Sequence, residues 1–334
     1  MEYNTLGKTG LQISRLGFGG IPIQRTNASA VRELVKSLAD NGINFIDTAR
    51  GYTVSESYLG EALEGLRDKF VIATKSMART KEAMAADIET SLNTLRTDYI
   101  DLYQIHNPNL AQLDQVVAPG GALEALKEAR EAGRIGHIGL TAHTLEVFAK
   151  ALDFDWAETI MFPYNIVETQ GEELMRKCTE KNIAFIVMKP MAGGAIEDPQ
   201  LALRFICSNP NATVVIPGMY DLKEIEINLS AVNNTAPLSE EELQKMDDIR
   251  KALGTSFCRR CNYCQPCAAG INIASVFLFQ GYLDRYGLGE WAKERYNAMP
   301  VKADACIGCG VCETRCPYQL PIRQMLKAAA DKFA

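Results

Sequence analysis

Eight of the chain's ten cysteines fall in two short runs, and their spacing is that of iron chemistry. One run is Cys258, Cys261, Cys264 and Cys267; the other is Cys306, Cys309, Cys312 and Cys316, closed by Pro317. Two gaps of two residues bring three thiolates around one [4Fe–4S] cube, and a fourth Cys before Pro commonly serves the other cluster of a pair. Disulfides would need an oxidising compartment, and residues 1–5 show neither the basic nor the apolar part of an export signal. Zinc sites with four thiolates usually pair two separated Cys-x-x-Cys knuckles, whereas each run here is unbroken. The second run fits the iron–sulfur pattern best. The first departs from it in its last gap and in having Ala268 where Pro would follow. Cys178 and Cys207 stand alone in helical patterns and read as structural thiols.

A second group of reactive side chains lies far upstream: Asp47, Tyr52, Lys75 and His106. A tyrosine ordinarily titrates near pH 10, too high for easy proton exchange at neutral pH. A neighbouring lysine ammonium would stabilise the tyrosinate, and an aspartate would hold that lysine charged and in place. A histidine could then orient a substrate oxygen. Such a set suits carbonyl reduction, with Tyr52 delivering the proton to oxygen. The bland alternative is an Asp47–Lys75 ion pair with incidental neighbours.

These residues need a scaffold that gathers them. Strand-like apolar runs occur at 16–18, 45–47, 71–74, 100–105, 135–140, 159–162, 184–188 and 214–216, with helical patterns between them. Met84, Ile88, Leu92 and Leu95 line one helical face, and Ser239 with Glu242 forms a capping box for a helix that Gly254 can end. Buried parallel strands joined by helical crossovers, in about 250 residues, have the size of a TIM barrel. An open doubly wound sheet is the runner-up, but no Gly-x-Gly-x-x-Gly follows the first strand. A hairpin turning at Gly7-Lys8-Thr9-Gly10 is expected to precede the barrel. In a barrel of this kind Asp47, Lys75 and His106 close three adjacent strands at the catalytic face. The expected architecture is α/β: residues 1–254 form the barrel, and residues 255–334 a small, mainly helical iron–sulfur domain. The aromatic stretch 273–295 is expected to be helical and to pack that domain onto the barrel. Its sharper reading is a docking surface for a redox partner.

The upstream region resembles the aldo-keto reductase family. The resemblance rests on Phe45-Ile-Asp-Thr-Ala-Arg-Gly-Tyr52, Ser55-Glu56, Leu59-Gly60, Ala73-Thr-Lys75, Asp101-Leu-Tyr-Gln-Ile-His106 and Ile216-Pro-Gly218, in order across about residues 3–250. It implies a TIM barrel, NAD(P)H-linked reduction of aldehydes or ketones, and Asp47, Tyr52, Lys75 and His106 as the catalytic tetrad. The tail resembles a dicluster ferredoxin module. That resemblance implies two [4Fe–4S] clusters: Cys258, Cys261, Cys264 and Cys316 on one, Cys306, Cys309, Cys312 and Cys267 on the other.

Against the family pattern, the cofactor grip is altered. Thr141-Ala142 stands where Ser-Asn is usual, Met161 where Gln is usual before Tyr164-Asn165, and Met188-Lys189 where an aromatic stacks on nicotinamide. In the stretch 219–228 just beyond Gly218 only Lys223 is cationic. The expected cofactor contacts are Thr141, Asn165, Lys189, Gly193, Gly218 and Lys223, with His143 as a further donor. Nicotinamide passes electrons in pairs and clusters pass them singly, so the two do not exchange easily without a flavin or a radical-capable substrate between them; the expected redox partner is a ferredoxin or a flavoprotein. The competing reading is an electron-transfer or redox-sensing subunit whose barrel binds nucleotide without turnover.

Composition narrows the setting. The chain has 334 residues, 47% of them hydrophobic, and a net charge of −6. No basic stripe suggests nucleic acid as a partner, and no apolar run approaches the ~20 residues of a membrane span. A cytoplasmic enzyme is expected.

Overall fold

A computed structural model describes all residues, 1–334. The chain divides into two compact units. The first comprises Met1–Asn165, Thr169–Pro190 and Asp198–Leu238; the second comprises Ile166–Glu168, Met191–Glu197 and Ser239–Ala334.

The first unit opens with an antiparallel hairpin, β1 (Tyr3–Thr5) and β2 (Gln12–Ser14), in register Tyr3 to Ser14. Gly7–Thr9 form a 3-10 turn between them, which Gly10 ends at φ 73°, a conformation that costs glycine little. Eight parallel strands follow. They are β3 (Phe18–Gly19), β4 (Phe45–Asp47), β5 (Val71–Ser76), β6 (Ile100–Ile105), β7 (Ile135–Thr141), β8 (Thr159–Pro163), β9 (Ala184–Met188) and β10 (Val214–Val215). Each pairs with the next in chain order. Bridges Leu16 to Val215 and Gly19 to Gly218 join the first strand to the last, so the sheet closes on itself. This is a TIM barrel. All eight strands occupy the stretches expected from the apolar runs, to within two residues at each end. Ahead of the first, Gly17 donates to Val215 O and Val215 to Arg15 O across the closing seam.

The helices outside the strands bury one stripe each. In Lys81–Thr94 the buried side chains include Met84, Ile88 and Leu92, with Leu95 just beyond. These join a continuous core with residues such as Ile72, Tyr103, Ile138 and Phe185. A second cluster, including Phe45, Leu102, Met161 and Ile186, fills the other side of the strands. Alternation along each strand makes both possible, since successive side chains face opposite ways.

The second unit is helical. Ser239 and Glu242 form the capping box of Glu240–Gly254, which is grouped with this unit. The aromatic stretch is two helices, Ile273–Asp284 and Gly289–Asn297, rather than one. The chain breaks between them, where Gly287 takes φ 63°. Their aromatic rings pair with one another: Tyr282 lies 4.8 Å from Trp291 and 5.2 Å from Tyr286, centroid to centroid. Ile273, Val276 and Phe277 build the unit's own core with Leu320, Ile322 and Leu326 of the C-terminal region. No helix in the chain is long and apolar enough to cross a membrane.

Candidate active site

Asp47 ends β4, and Lys75 lies one residue from the end of β5. Gln104 is the Cα partner of Lys75 on β6, and His106 follows two residues later, so these side chains share a face. Lys75 Nζ donates to Asp47 Oδ2 at 2.5 Å and to Thr48 O at 2.8 Å. Gln104 Nε2 donates to the other carboxylate oxygen of Asp47 at 3.2 Å. Asp47 and Lys75 are almost wholly buried, at 3% and 2% exposure. Burial pushes the lysine's pKa below its ordinary value, while the Asp47 charge pulls the other way.

The loop after β4 carries Tyr52. Arg50 N bonds Lys75 O at 3.0 Å and Tyr52 N bonds Ala49 O at 3.0 Å, so the loop folds back over β5. Lys75 Nζ lies 4.8 Å from the centre of the Tyr52 ring. The His106 ring meets the Tyr52 ring edge-on at 6.2 Å. All four residues singled out from sequence therefore converge, and Gln104, unnoticed there, joins them. The signal for Gln104 was its place on the same strand face as His106, but a glutamine in a strand has no chemistry of its own to draw attention.

His106 is held neutral. Burial, then the charges of Lys75, Arg79 and Lys189, push its pKa well below 6.5. Its Nδ1 is buried and has no hydrogen-bond partner. Arg79 Nη2 donates to the His106 carbonyl at 2.7 Å, fixing the backbone on which the ring sits. The pH profile of turnover is accordingly expected to show no histidine ionisation between about pH 5.5 and 7.5, since the imidazole has already lost its proton throughout that range. An inflection near pH 6.5 that disappears in His106→Gln would contradict this.

Behind Lys75 lies a buried carboxylate. Glu56, 1% exposed, accepts from Thr74 Oγ1 at 2.7 Å and Ser91 Oγ at 2.9 Å and forms an ion pair with Arg50. Its charge helps hold Lys75 protonated.

The expected cofactor residues are more dispersed. Thr141 is buried and its side-chain oxygen accepts the Asn107 N–H at 2.9 Å. Asn165 Nδ2 donates to Lys189 O at 2.9 Å, so these two meet; Lys189 takes φ 56°. Gly218 bridges to Gly19, and a Cβ there would come 2.5 Å from Pro22 Cγ, so the loop needs glycine. Lys223 is exposed in the first turn of the helix Leu222–Asn233. Near it the chain places a cation that sequence reading missed: Arg25, whose guanidinium covers the Tyr220 ring at 4.0 Å. Arg25 is nearly 200 residues from Tyr220, and only barrel closure unites them. Gly193 belongs to the second unit, where its carbonyl accepts Arg285 Nε at 2.9 Å and its Cα faces Tyr286.

In the second unit Cys258, Cys261, Cys264 and Cys316 line one cleft, walled by Phe277 and Tyr318. Three come from the first run and one from the second. No three Cys, His or acidic side chains converge closely enough for one metal ion. A cube of irons and sulfides keeps its thiolates farther apart than a single ion does, so the donor set and the cleft suit a cluster. Burial raises Cys258 to about 11 and Cys264 to about 12, so both thiols are protonated at neutral pH and iron must displace their protons. Cys267 and Cys306 are half-buried, Cys312 is buried and Cys309 is exposed. Of the isolated cysteines, Cys178 is fully buried and raised to about 12 by burial, an inert packing thiol, and Cys207 is half-buried.

Residues 15–200 match the model of the Aldo/keto reductase family. Residues 257–321, which contain both cysteine runs, match a 4Fe-4S dicluster domain. The aldo-keto reductase YhdN of Bacillus subtilis is 33% identical over 192 residues, 52% of this chain, and the chain spans 56% of that protein's length. L-galactose dehydrogenase of Arabidopsis thaliana is 26% identical over 303 residues, covering 75% of this chain and 94% of the plant protein. Among solved structures, the holo form of aldo-keto reductase AKR11C1 from Bacillus halodurans superposes with a TM-score of 0.65 at 25% identity. It covers 75% of this chain and 96% of its own.

Proposed function

We propose, since the chain belongs to the aldo/keto reductase family, that its barrel (residues 1–254) reduces an aldehyde or ketone with NAD(P)H. The 4Fe–4S dicluster domain (residues 255–334) would hold two clusters. The observation that carries the reading is the position of Lys75 Nζ, bonded to Asp47 at 2.5 Å and 4.8 Å from the Tyr52 ring. Nicotinamide, when bound, supplies the hydride. The rest is the work of this chain's side chains. Tyr52 Oη gives its proton to the carbonyl oxygen as negative charge develops there. The Lys75 ammonium stabilises the phenolate left behind, and Asp47, itself anchored by Gln104, keeps that ammonium in place. Neutral His106 orients the carbonyl oxygen without competing for the proton.

Arg25, Gly218 and Lys223, beside the start of the helix Leu222–Asn233, would hold the phosphate end of the nucleotide; helix N-termini favour anions. Thr141 ends β7, and Asn165 and Lys189 lie just beyond β8 and β9; together they would hold the nicotinamide end. The clusters would carry single electrons, exchanged with a ferredoxin or flavoprotein partner or through a bound flavin.

The test is anaerobic oxidation of NADH and NADPH with a panel of aldehydes and ketones, together with iron and sulfide analysis. Turnover and about eight irons per chain are expected, four for each of two clusters. Nucleotide binding without turnover on any carbonyl would replace the reductase with a sensor. About four irons would leave one cysteine set without a cluster.

A further inference from the structure

The cleft lined by Cys258, Cys261, Cys264 and Cys316 has mostly apolar walls, including Ile273, Phe277 and Leu320. A thiolate-bound cluster is negative and becomes more so when reduced. Apolar burial therefore disfavours its reduction. Against this, the chain places two consecutive arginines in the same region. Arg259 lines the cleft and is 7% exposed; Arg260 is 9% exposed.

Buried charges are ordinarily paired. Arg260 is: its Nη2 meets Glu168 Oε1 at 2.6 Å, and Glu168 is fully buried. Its Nη1 donates to Cys258 O at 3.1 Å and its backbone N–H to Cys258 Sγ at 3.4 Å, so it is anchored on a cleft cysteine. Arg259 has no carboxylate partner. It donates to three carbonyls, Val167 O at 2.9 Å, Gly254 O at 3.1 Å and Phe257 O at 3.3 Å, and its guanidinium lies 3.8 Å over the Tyr318 ring. Two buried cations thus face one buried anion, and the surplus positive charge sits at the cleft. Holding an unpaired guanidinium out of water is costly unless an anion is bound nearby.

We infer that Arg259 and Arg260, opposed by Glu168, tune the reduction potential of the cluster bound at Cys258, Cys261, Cys264 and Cys316. The arginines raise it and Glu168 lowers it. In the step concerned this cluster takes one electron from a one-electron donor, a reduced ferredoxin or flavoprotein (dithionite in the test), which is oxidised by one electron; no proton moves, and the added negative charge is met by the arginines. The inference rests on the reading that these four cysteines hold a cluster.

The test is an anaerobic redox titration of the full-length protein with dithionite, followed by EPR of the reduced clusters, with iron counted for each variant. Arg259→Gln is expected to shift one of the two potentials to more negative values and leave the other in place. Arg259→Lys, which keeps the charge but loses the fork, should stay close to the unmodified protein. Glu168→Gln should shift the same potential in the opposite direction. Opposite shifts from neighbouring residues are not what a packing role alone produces. Unchanged potentials in Arg259→Gln and Glu168→Gln, both retaining full iron, would overturn the inference, as would shifts of equal sign. If Arg259→Gln loses iron, Arg259→Lys and Glu168→Gln decide alone. An unmodified protein without a cluster at this cysteine set would overturn the ligand reading itself, and the inference with it.

Discussion

Tyr52→Phe is expected to slow carbonyl reduction by about 10³-fold while leaving nucleotide affinity and fold intact, because general acid catalysis is typically worth ~10²–10⁴-fold. The substitution deletes one oxygen and keeps the ring. The ring contacts with Lys75 at 4.8 Å and His106 at 6.2 Å survive, so the loop has no reason to move. The loop is in any case held by backbone bonds from Arg50 to Lys75 and from Ser55 to Tyr52, the latter at 2.8 Å. Lys75→Met would be a poorer probe, since it would leave Asp47 charged and buried with only Gln104 beside it. Single-turnover reduction rates and nucleotide titration of both proteins supply the measurement. A Tyr52→Phe enzyme within about tenfold of the parent would remove the phenol from the proton path and shift attention to His106.

The elements around Tyr52 explain why so much of the site was legible in the sequence. Strand-end residues announce themselves because a parallel strand is a continuous apolar run, and a charged or titratable side chain at its end breaks the pattern. Asp47, Lys75 and His106 each do so. The hairpin and the box at Ser239 were legible for a similar reason, since their signals are local. What the sequence concealed depends on distance. Arg25 reaches Tyr220 only because β3 and β10 close the barrel. Glu168 meets Arg260 across 92 residues, and nothing within either segment marks the other. The stretch 273–295 looked like one helix because its apolar and aromatic content is high throughout, whereas one glycine at positive φ accompanies the break. Gly193 illustrates a different limit. Glycine signals a close approach but not what approaches; here it is the Tyr286 ring and the Arg285 side chain.

Glu56 shows how a residue noted only as part of a motif acquires a physical task. Glu56→Leu is expected to destabilise the barrel by about 3 kcal/mol, at the lower end of the ~3–5 kcal/mol that follows breaking a buried ion pair. The carboxylate is 1% exposed and satisfies Thr74, Ser91 and Arg50 together. Leucine would leave both hydroxyls without this acceptor. Arg50 limits the loss, because its side chain keeps 26% exposure and lies 3.9 Å from Asp87. Glu56→Gln retains an acceptor for the hydroxyls and should cost about 1–2 kcal/mol. For a barrel of this size, 3 kcal/mol corresponds to a fall in Tm of roughly 6–12 °C. Trp156 fluorescence in a Trp291→Phe background reports the barrel, because these are the chain's two tryptophans and Trp291 lies in the second unit. The same substitutions bear on catalysis. Glu56 contributes to keeping Lys75 charged, so both variants should also lower turnover, Glu56→Gln by less than Tyr52→Phe. A Glu56→Leu protein that unfolds at the parent's temperature would mean that Arg50, Thr74 and Ser91 find other partners, and that the carboxylate is not what secures the floor beneath Lys75.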